Sequence, residues 1–191
     1  DGAVEADGLQ FASDGYNVIG DGLTLTGADG EIRVGDGSAA SSGYEAAIYS
    51  VISGSNGLMK TGEGTLVLGG SNDYVGDTVI AAGTLRSVKY DALGDASNRL
   101  VLDGGAFHVE GPGMIDLFNR YQLALGSQGG TLLMYENATI RSDLSGTGAL
   151  IVKGHGALDL EGNNDFSGGL MIVGGIVQGE VSALGSGFIE N

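Results

Sequence analysis

The chain repeats a stretch of its own sequence, and this repeat limits the available folds more than any other feature. Residues 53–94 match residues 145–185, with glycine aligned on glycine and apolar residue on apolar residue along most of the segment. Gly64 aligns with Gly156, an offset of 92 residues that stays constant until one deletion near the end of the second copy. Such a pattern is typical of solenoids, in which each unit buries its apolar face against the next.

Short runs that favour β-strands lie between the turn-forming residues. Residues 23–26, 65–68, 100–102 and 149–152 are examples, each bounded by Gly, Asn, Asp or Ser. Such spacing is also compatible with a β-sandwich. The single proline and the like-on-like alignment of the two copies favour a solenoid instead. At roughly 23 residues per turn, the 92-residue offset makes four turns and the whole chain about eight.

Composition excludes several classes of protein. The 38 glycines lack the regular spacing and the proline content of collagen, and 42% hydrophobic residues are too many for a disordered acidic tail. Without cysteine the chain forms no disulfide and no thiolate metal site. A formal charge of −16 predicts repulsion from nucleic acid, and no apolar run approaches the ~18 residues of a membrane span. We expect neither nucleic-acid binding nor direct membrane insertion of this segment.

The turn positions carry further predictions. Glycines are expected at corners where φ is positive or where the backbone of one turn approaches the next. Asn72 and Asn164 are expected at corners in the left-handed conformation, with local hydrogen bonds. One stretch has helical spacing and leaves a single helical turn open as an alternative to strand: Met114, Leu117, Phe118 and Tyr121.

Residues 57–85 read GLMKTGEGTLVLGGSNDYVGDTVIAAGTL, and this stretch is similar to the passenger-associated transport repeat of bacterial autotransporters, the type V secretion family. That motif has the form GLxKxGxGTLxLxGxNxYxGxTxIxxGTL, and nearly every fixed position is matched. Residues 149–177 form a second copy in which Ala157, Phe166 and Leu170 replace the Thr, Tyr and Thr of the motif. The clear resemblance covers about a third of the chain.

The resemblance assigns a structural role to the fixed positions of both copies. In the first copy these are Gly62, Gly64, Thr65, Leu66, Leu68, Gly70, Asn72, Tyr74, Gly76 and Gly83. In the second copy they are Gly154, Gly156, Leu158, Leu160, Gly162, Asn164, Phe166, Gly168 and Gly175. It implies a right-handed, single-stranded parallel β-helix in which these residues form the corners and the core.

The resemblance also implies where such a protein acts. Passengers of this kind are exported to the cell surface of Gram-negative bacteria through a C-terminal β-barrel translocator in the parent chain, and residues 1–4 and 187–191 read as cuts in a longer chain. Relatives are commonly adhesins, autoaggregation factors or biofilm proteins. We expect a structural and adhesive stalk segment that binds a host-cell or matrix receptor or a neighbouring passenger. Two alternatives stay open: an autochaperone segment that promotes folding and secretion, and a carbohydrate-active β-helix enzyme.

The residues offer little for catalysis, and we expect no catalytic, cofactor-binding or metal site. Alternation places His108 opposite Phe107 on the solvent face, and His155 falls at a variable turn position, so both are expected at the surface. No HExxH, GxSxG or GxxxxGK[ST] motif occurs. Residues 35–40 satisfy GxGxxA but belong to no predicted βαβ unit, which argues against a nucleotide site.

Two surface features remain ambiguous. Residues 1–50 hold nine acids and one base, Arg33, which indicates either resistance to strand-edge aggregation or a recognition face. Several tyrosines are candidates for stacking on sugars, but without a regular spacing they define no site: Tyr44, Tyr49, Tyr90, Tyr121 and Tyr135.

Overall fold

The fold is a coil of short parallel strands. In the computed structural model, which describes residues 2–109, 118–180, 184–187 and 189–190, the chain winds through about eight turns of a β-solenoid. Every strand pairing within these residues is parallel and joins strands of neighbouring turns. The predicted all-β solenoid of parallel strands is confirmed.

The described residues contain twenty-two strands in four sheets, numbered here in chain order. The nine-stranded sheet contains β3 (Tyr16–Val18), β6 (Glu45–Ile48), β9 (Thr65–Leu68), β11 (Thr84–Ser87), β13 (Ala106–Val109), β15 (Gly130–Met134), β18 (Leu150–Gly154), β20 (Leu170–Ile172) and β22 (Ile189–Glu190). The seven-stranded sheet contains β2 (Gly8–Phe11), β5 (Glu31–Val34), β8 (Leu58–Thr61), β10 (Thr78–Ile80), β12 (Arg99–Leu102), β14 (Gln122–Leu125) and β17 (Ser145–Gly146).

Two three-stranded sheets lie towards the ends of the coil. The first contains β1 (Val4–Ala6), β4 (Leu23–Leu25) and β7 (Ile52–Gly54), and the second contains β16 (Ala138–Ile140), β19 (Ala157–Leu160) and β21 (Ile176–Gly179). A 3-10 helix, Ala39–Gly43, lies between β5 and β6. It begins at Ala39, within residues 35–40, so the GxGxxA stretch leads into a short 3-10 corner of the coil and not into the α-helix of a nucleotide-binding unit.

The core is a set of ladders in which each inward side chain lies over its counterpart one turn away. Strand side chains point alternately to the two faces of a sheet, so every second residue enters the coil. One ladder of the seven-stranded sheet runs through Leu9, Ile32, Lys60, Ile80, Leu102 and Leu125. Its aliphatic members from Ile32 onward are at most 3% exposed, and fully burying one such side chain stabilises a fold by about 1.5–3 kcal/mol.

The two copies of the repeat lie on different faces of the coil. Leu58, Thr78, Leu100 and Leu123 mark successive turns of the seven-stranded sheet, separated by 20, 22 and 23 residues. Leu150, the counterpart of Leu58, lies in the nine-stranded sheet. The prediction that the two copies are separated by a whole number of turns is therefore wrong. The offset of 92 residues spans four turns and one further face of the coil. The physical reason is that the corners differ in length, so several turns are shorter than the predicted average. Four turns therefore use fewer than 92 residues, and the remaining residues carry the second copy on to the next face of the coil.

The stretch with helical spacing is only partly described. Met114 and Leu117 lie outside the described residues. Residues 118–120 are helical, and Phe118 and Tyr121 are buried in the core. None of the helices in the described ranges is long and apolar enough to cross a membrane.

Candidate functional site

The predicted repeat residues line the interior and the corners of the turns. Six are buried core side chains, with at most 1% exposed: Leu66, Leu68, Tyr74, Leu158, Leu160 and Phe166. Thr65 is half-buried at the start of β9. Five glycines have positive φ: Gly62, Gly76, Gly83, Gly154 and Gly175. At the other five a Cβ atom would overlap backbone of the preceding turn: Gly64, Gly70, Gly156, Gly162 and Gly168.

Asn72 and Asn164 form hydrogen bonds that join neighbouring turns of the coil. Asn72 Oδ1 accepts from the Ile52 N–H at 2.8 Å, and its Nδ2 donates to the Ala92 carbonyl at 2.6 Å, so one amide joins three successive turns. Asn164 Oδ1 accepts from the Leu144 N–H at 2.7 Å. Within the described residues only glycine has positive φ, so the predicted left-handed conformation of both asparagines is wrong, and these bonds of Asn72 reach other turns instead of its own corner. Parallel stacking brings the neighbouring backbone within reach, and the amides satisfy buried backbone groups there.

A buried hydroxyl pair distinguishes the first repeat copy from the second. The hydroxyl oxygens of Tyr74 and Thr78 lie 2.6 Å apart, and both side chains are 0% exposed. Burial raises the pKa of Tyr74, so the phenol stays protonated and available as a donor. The equivalent residues in the second copy are Phe166 and Leu170, both buried. The two departures from the repeat motif therefore remove both hydroxyls of one pair together.

The turn that follows each of these aromatic rings makes room with a glycine. A Cβ atom on Gly94 would lie 2.9 Å from the Tyr74 ring, and one on Gly185 would lie 2.7 Å from the Phe166 ring. These glycines end the matching Ala-Leu-Gly segments of the two copies. The like-on-like alignment thus extends to the packing between a ring and the next turn.

Lys60 is a charged residue in the core that the sequence analysis did not identify. Its side chain is 0% exposed and lies between Ile32 and Ile80 in their ladder. Its ammonium donates to the carbonyls of Thr61, Gly62 and Ala82 at 2.8, 2.7 and 3.0 Å, and the last of these lies on the next turn. The sequence signal that could have identified it is its position two residues after Leu58 on β8, because side chains two residues apart on a strand point to the same face. The second copy has Val152 in this place.

Burial lowers the pKa of Lys60 from its usual 10.5 to about 8. Desolvation of the ammonium is the main cause, nearby Arg33 adds to it, and Glu63 opposes it. The unfolded chain therefore holds this proton more tightly than the folded chain does. The free energy of unfolding consequently rises as pH increases from about 8 to 10.5, and below pH 8 the full cost of burying the charge is present.

An outer strip of five side chains crosses the nine-stranded sheet: Arg86, His108, Tyr135, Lys153 and His155. Arg86 and His108 are register partners, and Leu133 is the partner of both His108 and Lys153. The Tyr135 ring lies between the two imidazoles, with centroid distances of 4.7 Å to His108 and 5.4 Å to His155. His108 is half-buried beside the fully buried Phe107, and His155 is exposed, as alternation and the turn position predict.

The other tyrosines proposed for sugar stacking do not join this strip. Tyr49 and Tyr90 are exposed, at 49% and 53%, and Tyr44 is partly buried against the core. Tyr121 is 1% exposed and donates to the Gly94 carbonyl at 2.9 Å, so its candidacy as a surface residue is wrong. Because the Tyr121 side chain points into the core, it is not available to stack on a sugar.

The carbohydrate-active alternative requires carboxylates that converge on a substrate. An open groove on the second three-stranded sheet is lined by Asp159, Glu161 and Glu180. Glu161 in this groove is engaged in an ion pair with Arg141 at 3.1 Å. Across the described ranges, no group of three or more His, Asp or Glu residues is arranged to hold a metal ion.

Comparison with known proteins agrees with the repeat and the fold. The passenger-associated transport repeat family model matches residues 58–86 and 145–178. Over 178 residues, 91% of its length, the chain is 44% identical to the adhesin BmaC autotransporter of Brucella suis biovar 1 (strain 1330). The chain belongs to the autotransporter passengers, as the resemblance predicted. The chain spans 5% of the length of that autotransporter relative. No solved structure matches the chain.

Proposed function

We propose that this chain is an adhesive, non-enzymatic segment of an autotransporter passenger displayed on the bacterial cell surface. The observation that carries the proposal is a continuous solenoid with a filled apolar interior, in a chain 44% identical to part of an autotransporter adhesin. A rod of this kind has its outer surface available for binding. Contacts repeated along the rod reinforce one another, because each bound contact raises the effective concentration of the next.

The partner in this proposal is a host-cell or matrix receptor, or a neighbouring passenger in autoaggregation and biofilm formation. The test displays the parent protein on bacteria with and without this segment, and measures attachment to host cells, attachment to matrix, and clumping. Surface passenger is measured in the same cells with an antibody, so that lost export is distinguished from lost adhesion. Lower attachment or clumping at equal surface amount supports the proposal, and unchanged behaviour contradicts it.

A specific observation favours the autochaperone as a second candidate. Asn72 bonds to the turns before and after its own, and Lys60 bonds to the next turn through the Ala82 carbonyl. Such side chains present hydrogen-bond partners to a turn as it is added to the coil. The Asn72→Ala and Lys60→Val variants are then expected to reduce the amount of surface passenger. The same changes at exposed positions, Asn163→Ala and Lys153→Val, are expected to leave it unchanged; equal effects in both sets would contradict this function.

A further inference from the structure

The outer strip holds both histidines of a strongly acidic chain and two of its eight Lys and Arg residues. Arg86, His108 and Lys153 occupy one outward-facing column across β11, β13 and β18. The parallel column on β11, β13, β15 and β18 carries no charge: Thr84, Ala106, Thr131 and Ile151. Because the chain has a net charge of −16, much of its surface repels an anion, and the basic side chains of the strip are the groups that attract one on this face.

Two acids border the strip and limit its charge. Glu45 lies 3.8 Å from the Arg86 guanidinium, and Glu136 follows Tyr135 in the chain. Lys153 is exposed on β18 and supplies the most accessible cation of the strip. The positive side of the strip is therefore its C-terminal part, where Lys153, His155 and Tyr135 meet on adjacent turns.

The aromatic part of the strip adds a second kind of contact. Tyr135 has 43% of its side chain exposed, and the imidazoles of His108 and His155 hold its ring from two sides at interplanar angles of 45° and 81°. The ring offers an apolar surface, while the exposed imidazole of His155 and the ammonium of Lys153 offer hydrogen-bond donors. The half-buried Leu133 on β15 adds an apolar side chain two residues before the ring.

We propose that the outer strip binds an anionic polysaccharide lying parallel to the coil axis. A sugar ring combines a C–H face, which packs on tyrosine, with carboxylate or sulfate groups, which bond to lysine and imidazole donors. Neighbouring strands are about 4.7–4.9 Å apart, so a polymer along the axis contacts a further side chain at each turn. This proposal rests on the proposed adhesive function and names its ligand class.

The test measures binding of the purified 191-residue chain to four polymers by titration calorimetry. Dextran sulfate carries sulfate, polygalacturonate carries carboxylate, dextran is the neutral backbone, and polyglutamate is an acidic polypeptide. We expect binding to one or both anionic polysaccharides that weakens with added salt, no binding to dextran, and at least tenfold weaker binding to polyglutamate. Comparing the first two polymers distinguishes sulfate from carboxylate recognition.

A matched pair of variants locates the site. Y135A/K153Q is expected to weaken binding at least tenfold, and K89Q/Y90A, which makes the same changes on exposed residues after β11, by less than twofold. Far-UV circular dichroism checks that both fold. Equal losses in both variants, no binding by the wild-type chain, or equal binding of polyglutamate would overturn the inference. Displayed cells that attach while the purified chain binds no polyanion would overturn it and leave the adhesive function standing.

Discussion

The Tyr74–Thr78 hydroxyl pair offers a direct test of how the two repeat copies are related. The perturbation is a cycle of three variants, Tyr74→Phe, Thr78→Val and the double variant, which removes each hydroxyl without changing the shape of the side chain. Because both side chains are 0% exposed and the oxygens lie 2.6 Å apart, a hydroxyl that loses its partner has no access to water. Each single variant therefore leaves one buried polar group without its bond.

The magnitudes follow from that geometry. A buried hydroxyl without a partner costs about 1–3 kcal/mol, whereas replacing both partners by apolar groups of the same shape is nearly neutral. Each single variant should therefore lower the free energy of unfolding by about 1–3 kcal/mol. The double variant should lose less than the sum of the two, with a coupling energy of about 1–2 kcal/mol. The apolar Phe166–Leu170 pair of the second copy is the natural version of this double replacement.

The assay is urea unfolding at constant pH, followed by far-UV circular dichroism, with the midpoints compared at constant slope. The exposed Tyr90→Phe and the half-buried, outward-facing Thr84→Val are matched controls and should change stability by less than about 0.5 kcal/mol. The converse change, Phe166→Tyr alone, should destabilise because it buries a hydroxyl beside Leu170. Strictly additive losses across the Tyr74–Thr78 cycle would refute the reasoning.

Three further predictions concern the interior and a corner. The lowered pKa of Lys60 should raise the free energy of unfolding by about 3 kcal/mol between pH 8 and 10.5. The Lys60→Val variant should lose this increase, whereas the exposed Lys153→Val variant should keep it. Urea unfolding at a series of pH values measures both. Asn72→Ala should cost about 2–4 kcal/mol in the same assay, because it leaves two buried backbone groups without partners, and exposed Asn163→Ala should cost little. Gly83→Ala should lower the thermal midpoint by several degrees, because its φ is +65° and a Cβ would overlap two carbonyl oxygens of the preceding turn.

Much of the fold was predictable because the sequence pattern that specifies it lies within short stretches of the chain. The alternation within a run such as residues 65–68 indicates which side chains enter the core, and the like-on-like alignment indicates that they stack. The partners of Asn72 were not predictable in the same way. They lie 20 residues away in each direction, and they become neighbours only when the register of successive turns is known.

The buried lysine shows a different limit. Alternation placed Lys60 in phase with Leu58, yet lysine is seldom fully buried, so the residue type argued against the pattern. The conflict is resolved by the corner itself. The chain turns just after β8, and the carbonyls of Thr61 and Gly62 come within reach of the ammonium, together with one carbonyl of the next turn. A core position next to a corner can thus accept a charge that a mid-strand position would reject.

The rotation between the two copies indicates what the repeat motif requires of its surroundings. Asn72 and Asn164 make the same bond to a backbone N–H 20 residues earlier, although β8 of the first copy lies in the seven-stranded sheet and the equivalent β18 of the second copy lies in the nine-stranded sheet. The asparagine bond therefore requires that the turn before the asparagine contains 20 residues, and it does not require a particular face of the coil. Turns elsewhere vary from 19 residues, between Thr65 and Thr84, to 30, between Tyr16 and Ala46. Because the copies lie on different faces, the bonds of Asn72 and Asn164 to the preceding turns lie at different positions around the coil axis.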